Sequence, residues 1–272
     1  AWPTPRIGLD AAERGQILHK TMELFWLKLE TQARLLEMDD AHIGTQVSDA
    51  VSRALADWQA KHQDLPKRFA TLEKRRFTVL IQEWLVLERQ RLPFSVQSVE
   101  NELQLSLAGL SIKLRQDRVD SLPDGSVAIM DYKSGKPRSL PWEDESGRPE
   151  EPQLPLYALA SAQPVSALLF GKIKTGENAV IGIADTPVCI DVDRKGFDIV
   201  DAAEAPTLGQ RIETWRDELT HLAQSFRAGD ARVDPRKPAT CQHCHLSSLC
   251  RKNEILDAGF LAAPDDGAND EQ

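Results

Sequence analysis

Asp117, Asp131 and Lys133 are two acids and an amine of the kinds that hydrolyse phosphate esters when a divalent cation joins them. They flank Ser121-Leu122-Pro123-Asp124-Gly125-Ser126, with Asp117-Arg118-Val119-Asp120 before it and Val127-Ala128-Ile129-Met130-Asp131-Tyr132-Lys133 after it, a pattern that reads as a β-hairpin. Pro123-Asp124-Gly125 suits a three-residue loop, a type I turn ending in a left-handed glycine. A loop closed between Leu122 and Ser126 sets Asp117 directly opposite Asp131. Opposed side chains have Cβ atoms ~5 Å apart, close enough to share a cation. Lys133 follows on the same face, ~7 Å further along the strand. Charges at strand ends are common on solvated hairpins, so the D-x-K spacing alone says little. Val127, Ile129 and Asp131 share a face, however, so the acid extends an apolar row where a surface charge is not expected. Two carboxylates and an amine there are costly unless a metal and a substrate occupy the site.

Other residues carry weaker signals. Gly15 and His19 in Arg14-Gly15-Gln16-Ile17-Leu18-His19 lie one above the other on a helix. The glycine marks close backbone approach and the histidine could reach a metal beside the sheet; taken alone, His19 reads as a hydrogen-bonded histidine. Gln153 and Tyr157 share one helical face, suited to a phosphate backbone or a metal-bound water; taken alone, they read as a helix packing its tyrosine on the core. Cys241, Cys244 and Cys250 form C-x2-C-x5-C, a soft ligand set. Zinc would take these three with His243 or His245. An iron–sulfur cluster needs four cysteines, and Cys189 stands apart in a strand. Lys67-Arg68 and Lys74-Arg75-Arg76 could guide a nucleic-acid strand, though a solvated helix face accounts for them more simply.

The bulk numbers set bounds. The 272 residues suffice for one large domain or two small ones, and 41% hydrophobic with 28% charged residues is an ordinary globular composition. No apolar run approaches the ~20 residues of a membrane helix, and no secretory signal opens the chain. The net charge of −9 argues against binding nucleic acid by charge alone, yet it suits an acidic pocket that cations fill. Four cysteines, three of them within ten residues, point to a metal or cluster site in a reducing, cytoplasmic compartment. The first residue is Ala1, so a fragment of a longer polypeptide or a processed chain is expected.

These residues must be positioned by flanking elements. Asp10 and Glu13 form a capping box for a helix running to about Glu37, with further helices over roughly Thr45 to Lys61 and Pro66 to Arg89. Pro66 is expected at the first position of the last helix, and Phe69, Leu72, Phe77, Leu80 and Leu85 on its core side. Strands are expected over Ser95–Leu107 and Leu110–Leu122, joined by Ala108-Gly109, then over Ser126–Lys133, Val165–Lys172, Ala179–Ala184 and Val188–Val192. Ser134 to Pro152 reads as a long loop, Gln153 to Ala162 as a short helix and Thr207 to Arg227 as a long amphipathic one. The tail Asp265 to Gln272 reads as disordered. The organisation expected is a helical region at 1–92, a core at 93–235, a cysteine segment at 236–256 and an acidic tail at 257–272.

In this order the motifs resemble the nuclease domain of RecB and AddB type, an iron–sulfur-containing exonuclease family of DNA repair within the PD-(D/E)XK superfamily. The likeness rests on Arg14 to His19, Asp117-Arg118-Val119-Asp120, Asp131-Tyr132-Lys133-Ser134-Gly135-Lys136, Gln153 to Tyr157, and C-x2-C-x5-C. It implies an α/β fold, a central mixed β-sheet flanked by helices with a restriction-endonuclease-like core, an N-terminal helical region and a C-terminal cysteine segment. It implies that His19, Asp117 and Asp131 hold Mg²⁺ or Mn²⁺, that Lys133 orients or activates water, and that Gln153 and Tyr157 support the site or contact DNA. An upstream glutamate often assists; Glu100 and Glu102 both qualify, and strand parity does not choose between them. The fourth cluster cysteine of that family lies before the glycine-and-histidine helix, where this chain has none. A [4Fe–4S] cluster is therefore expected in the intact protein and incomplete or zinc-replaced here. Helicase-type Walker motifs are absent, so a motor is expected upstream or on a helicase partner. The expected activity is Mg²⁺- or Mn²⁺-dependent DNA hydrolysis. The rivals are a non-catalytic DNA-end binding module and a zinc-stapled interaction domain.

Overall fold

A computed structural model describes residues 8–62, 65–135, 137, 140–142, 148–190, 195–204, 206–236, 240–241 and 244–251. The acidic tail, Lys136 and His243 lie outside the described residues. The chain divides into two units, residues 1–223 and 224–272. No helix of the described residues is long and apolar enough to cross a membrane.

The first unit begins with four helices, α1 (Ala11–Leu29), α2 (Gln32–Glu37), α3 (Asp40–Lys61) and α4 (Lys67–Glu88). Asp10 caps α1 as expected, accepting the Glu13 N–H at 2.9 Å while Glu13 accepts the Asp10 N–H at 2.7 Å. The single helix expected to reach Glu37 is broken at Glu30, whose φ is +66°. There the backbone turns to the sheet: the Val96 N–H donates to the Glu30 carbonyl at 2.7 Å, and the Gln32 N–H to the Phe94 carbonyl at 3.1 Å. Tertiary hydrogen bonds thus override a continuous helical pattern. α3 starts earlier than expected because Asp39 caps it, accepting the His42 N–H at 2.7 Å. Pro66 is the cap residue of α4 rather than its first helical residue. Phe69 and Leu72, expected in the core, are exposed; the buried face of α4 is Phe77, Leu80, Ile81, Trp84 and Leu85.

Six strands follow in one sheet, ordered β1 (Ser95–Leu107), β2 (Leu110–Ser121), β3 (Val127–Lys133), β4 (Val165–Lys172), β5 (Ala179–Ala184) and β6 (Phe197–Asp201). β1–β2, β2–β3 and β4–β5 are antiparallel, while β3–β4 and β5–β6 are parallel, so the sheet is mixed. The parallel β3–β4 step is bridged by α5 (Gln153–Ala160), the crossover that parallel strands require. Ala128, Met130 and Tyr132 face a core shared with α1, α3 and α4. Val127 and Ile129 face a second core with α5 and α6 (Leu208–Arg227). Helices on both faces explain why β3 and β4 are apolar almost throughout. The strand expected over Val188–Val192 is not one: Cys189 forms only an isolated bridge to Arg91, and positions 191 and 192 are outside the described residues. The sheet's last strand is β6, with Phe197 and Ile199 half-buried and its other residues exposed, too weak a pattern to stand out.

A buried charge network joins these layers. Arg118 of β2 pairs with Glu88 of α4 at 2.8 Å and Asp120 at 2.6 Å, and Arg91 pairs with Asp120 at 2.8 Å and Glu88 at 3.1 Å. Arg118 stacks on Trp26 and Phe94, 4.0 and 4.6 Å from the ring centroids, and donates to the Tyr132 hydroxyl at 2.9 Å. Burial disfavours the Arg118 cation, but the Asp120 and Glu88 charges outweigh that and hold its pKa well above the usual value.

In the second unit, Asp230 and Arg232 pair at 2.6 Å and α7 spans Ser247–Cys250.

Removing one member of the buried network leaves its partners charged and unpaired. Arg118→Ala is expected to lower unfolding free energy by about 3–5 kcal/mol. Urea unfolding monitored by circular dichroism checks this; a change below about 1 kcal/mol would contradict the network's role.

Candidate active site

The turn chemistry of the sequence sets the site. Gly125 adopts φ +84°, its N–H donates to the Leu122 carbonyl at 3.1 Å, and the Leu122 N–H donates to the Ser126 carbonyl at 2.9 Å. That closes the three-residue loop and pairs Ser121 with Val127 through to Arg118 with Met130. The ladder ends there, one step short of Asp117 and Asp131. There the Asp117 side chain takes over from the ladder, its Oδ2 accepting the Tyr132 N–H at 2.7 Å. On the other side of β2, Val99 pairs with Arg118 and Asn101 with Gln116, which sets Glu100 opposite Asp117. Three carboxylates thus stand abreast on β1, β2 and β3.

α1 delivers His19 to the same place. Its Nε2–H donates to the Tyr132 carbonyl at 2.9 Å, which leaves Nδ1 pointing at Asp117 Oδ1 (3.2 Å) and Glu100 Oε1 (3.8 Å). His19, Glu100 and Asp117 offer ligand atoms that all lie within 4.8 Å of one another, the one such group of three among the described residues. A Cβ at Gly15 would lie 3.9 Å from Ser134 Oγ, an ordinary contact, so the close approach expected there does not require a glycine. Glu100 itself adopts φ +46°, a strained backbone that favours a functional explanation over a structural one. Between the two glutamates, the structure selects Glu100; Glu102 lines the groove beside it.

Asp131 is fully buried, and neither of its carboxylate oxygens accepts a hydrogen bond of good geometry. Lys133 Nζ lies 2.7 Å from its Oδ2, an ion pair without that geometry. Burial and the Asp117 charge push the Asp131 pKa up to about 6 against the pull of Lys133. Burial also acts against the His19 cation, but hydrogen bonds to Asp117 and Glu100 and the charges of Asp117 and Asp131 overcome it, and its pKa is pushed up to about 10. A buried carboxylate lacking hydrogen bonds, beside a set of two carboxylate oxygens and one imidazole nitrogen, is what a hard divalent ion such as Mg²⁺ or Mn²⁺ accepts. The residues present fit such an ion.

Gln153 and Tyr157 form a relay. Lys133 Nζ donates to Gln153 Oε1 at 2.8 Å, Gln153 Nε2 donates to the Tyr157 hydroxyl at 2.9 Å, and that hydroxyl donates to the Arg115 carbonyl. Tyr157 is buried, and burial pushes its pKa up to about 12. The pair therefore holds Lys133 in place; Tyr157 offers no surface to DNA. The basic residues of α4 lie elsewhere on the first unit, where Arg76 sits 3.9 Å from Glu73, itself paired with Arg14 at 2.6 Å.

In the second unit, Cys244 donates its N–H to the Cys241 carbonyl at 3.3 Å, and the Leu246 N–H donates to Cys244 Sγ at 3.4 Å. Hydrogen bonds to sulfur of this type tune ligated thiolates. Cys241, Cys244 and Cys250 all lie among the described residues, and their sulfurs do not converge on a common ligand position there, so the expected soft-ligand set is not assembled.

Residues 3–251 match the family described as the PD-(D/E)XK nuclease superfamily. The chain belongs to that superfamily. A search of the curated proteins found no match. The six-stranded mixed sheet with flanking helices agrees with the α/β fold expected for the superfamily.

Sequence reasoning left three features of the site unassigned: the choice of Glu100, the hold of the Tyr132 peptide on both Asp117 and His19, and the buried network behind Tyr132. The first was legible in the two-residue Ala108-Gly109 turn, which fixes the β1–β2 register. The others depend on which side chains α1 and α4 bring to the sheet, for which local pattern gives no signal.

The proton on His19 has a measurable consequence. Its folded pKa of about 10 lies above the ordinary 6.5, so the stability it confers is full below pH 6.5 and is lost as pH rises through about 10. In EDTA the protein is expected to lose stability over that window, and His19→Gln to lose less. Urea unfolding at several pH values checks this; identical slopes in both proteins would contradict it.

Proposed function

We propose that this protein is a Mg²⁺- or Mn²⁺-dependent deoxyribonuclease. The observation that carries the reading is the convergence of His19 Nδ1, Glu100 Oε1 and Asp117 Oδ1 beside a buried Asp131 and the amine of Lys133. His19, Glu100, Asp117 and Asp131 would hold the ion. When bound, that ion supplies Lewis acidity toward water and toward a phosphoryl oxygen. Lys133, fixed by Gln153, orients the attacking water and places positive charge where negative charge grows on the phosphate. Tyr157 keeps Gln153 oriented. Superfamily membership supports a nuclease and DNA as substrate. Exonuclease action on DNA ends in repair, beside a helicase, extends the reading along the RecB-type resemblance. In the same extension the three cysteines hold zinc with a histidine, or an iron–sulfur cluster once a fourth cysteine joins them.

End-labelled single- and double-stranded DNA with Mg²⁺, Mn²⁺ or EDTA tests the reading. The parent is expected to cleave with either ion and not with EDTA. Lys133→Ala and Asp131→Asn are expected to lose at least ~100-fold in rate, a loss typical of removing a group that stabilises transition-state charge, while unfolding stays cooperative. Salt-sensitive DNA binding without cleavage would favour the non-catalytic rival instead.

A further inference from the structure

A groove of about 740 Å³ opens beside the metal-type triad. His19, Glu100 and Arg115 line one end, and Trp58, Lys61 and His62 of the α3 C-terminus line it too. The volume is of the order of a small-molecule site, enough to take a nucleotide.

His62 is the unusual member. Its ring lies parallel to that of Trp58, centroids 4.6 Å apart and planes 7° apart. Trp58 is buried at 8% exposure, so the lower ring is anchored in the core while His62 is exposed above it. The His62 backbone N–H donates to the Trp58 carbonyl at 3.1 Å, and its Nδ1 lies 2.9 Å from the same oxygen. Backbone and side chain are thus pinned at one point, which fixes the plane of the imidazole. Trp58 covers one face of that ring, and His62 is exposed and lines the groove.

We propose that this second face is a stacking platform for an unpaired nucleobase of the strand whose phosphate lies at the triad. The proposal rests on the nuclease reading and adds a base subsite to it. Every base has a π-face, so a flat, preoriented ring recognises nucleotides without regard to sequence. Bases inside a duplex have both faces covered by their neighbours, so only a single strand or a frayed end can use the platform. Lys61, next in the chain, brings a cation to the same groove; Arg115, also in its lining, is paired with Glu100 at 3.0 Å.

The experiment uses single-stranded oligonucleotides, with binding read by fluorescence anisotropy in Ca²⁺ and cleavage read in Mn²⁺. His62→Ala is expected to weaken binding roughly 5- to 100-fold, the range for losing one stacked base, with the cleavage defect falling on KM. His62→Phe keeps a flat ring and is expected to restore binding. A helix-capping role alone would not show that rescue, and thermal melts confirm that both variants fold. An abasic residue moved along the oligonucleotide is expected to weaken parent binding at one position, and to have no further effect there in His62→Ala. Equal binding by the parent and His62→Ala, or the same abasic profile in both, would overturn the platform. A parent that binds but cleaves nothing defeats the nuclease reading, and the binding arm still decides the platform.

Discussion

A guanidinium taken wholly out of water must be matched by charge or it does not stay folded, and Arg118 is fully buried. The chain matches it with Glu88 and Asp120 and then balances those two acids with Arg91, so two cations and two anions sum to zero. Meeting that requirement draws α4 to β2, places Trp26 of α1 and Phe94 against the guanidinium, and leaves one N–H for the Tyr132 hydroxyl. Burial holds that phenol neutral, its pKa raised above the ordinary value. With its ring fixed, the peptide groups of Tyr132 are fixed as well. Its N–H holds Asp117 and its carbonyl holds His19. The same residue sits between Asp131 and Lys133 in sequence, so one tyrosine ties the core to four members of the site. A neutral buried network of this kind adds little stability over an apolar core; what it enforces is register.

Register is also the part of the site that the sequence made legible. Pro123-Asp124-Gly125 dictates a three-residue loop, and the pairing of Arg118 with Met130 follows from counting outward. The Ala108-Gly109 turn does the same for β1 and β2. Both residues have positive φ, 47° and 80°, which is the two-residue hairpin geometry. Counting outward from Leu107–Leu110 reaches Glu100 opposite Asp117. Parity alone does not distinguish Glu100 from Glu102; the turn does. Where the expectation failed, long-range bonds overrode local pattern. Glu30 reads as helical and is not, because the sheet edge claims its carbonyl. Phe69 and Leu72 have the spacing of a core stripe, but the neighbours α4 packs against lie on its other side. β6 has alternation too weak to be read, with only Phe197 and Ile199 turned inward. The buried network was invisible for a different reason: nothing local tells a core-facing Glu88 from a solvated one.

The site carries its own internal conflict, and that conflict explains its arrangement. Glu100, Asp117 and Asp131 crowd three negative charges onto adjacent strands, with His19, Lys133 and Arg115, the last 3.0 Å from Glu100, as the nearby cations. Without a divalent ion the balance is kept by protons: one on His19, held far above its ordinary pKa, and a share on Asp131, raised by burial and by Asp117. The carbonyl of Tyr132 fixes Nε2 as the protonated nitrogen, so the extra proton sits on Nδ1, the atom aimed at Asp117 and Glu100. Under the proposed function, proton and divalent ion would therefore compete for one nitrogen and the same carboxylates. Lys133 takes part as well: its amine lies 2.7 Å from Asp131 Oδ2 and donates to Gln153, which the Tyr157 hydroxyl holds on α5. Under the proposed function, that position also lets the amine stabilise charge on a phosphate. Asp131 is the one buried acid among the described residues without a well-formed hydrogen bond; Glu73, Glu88, Asp117 and Asp120 each accept one, which marks the Asp131 carboxylate as the group whose lone pairs the fold leaves for a ligand.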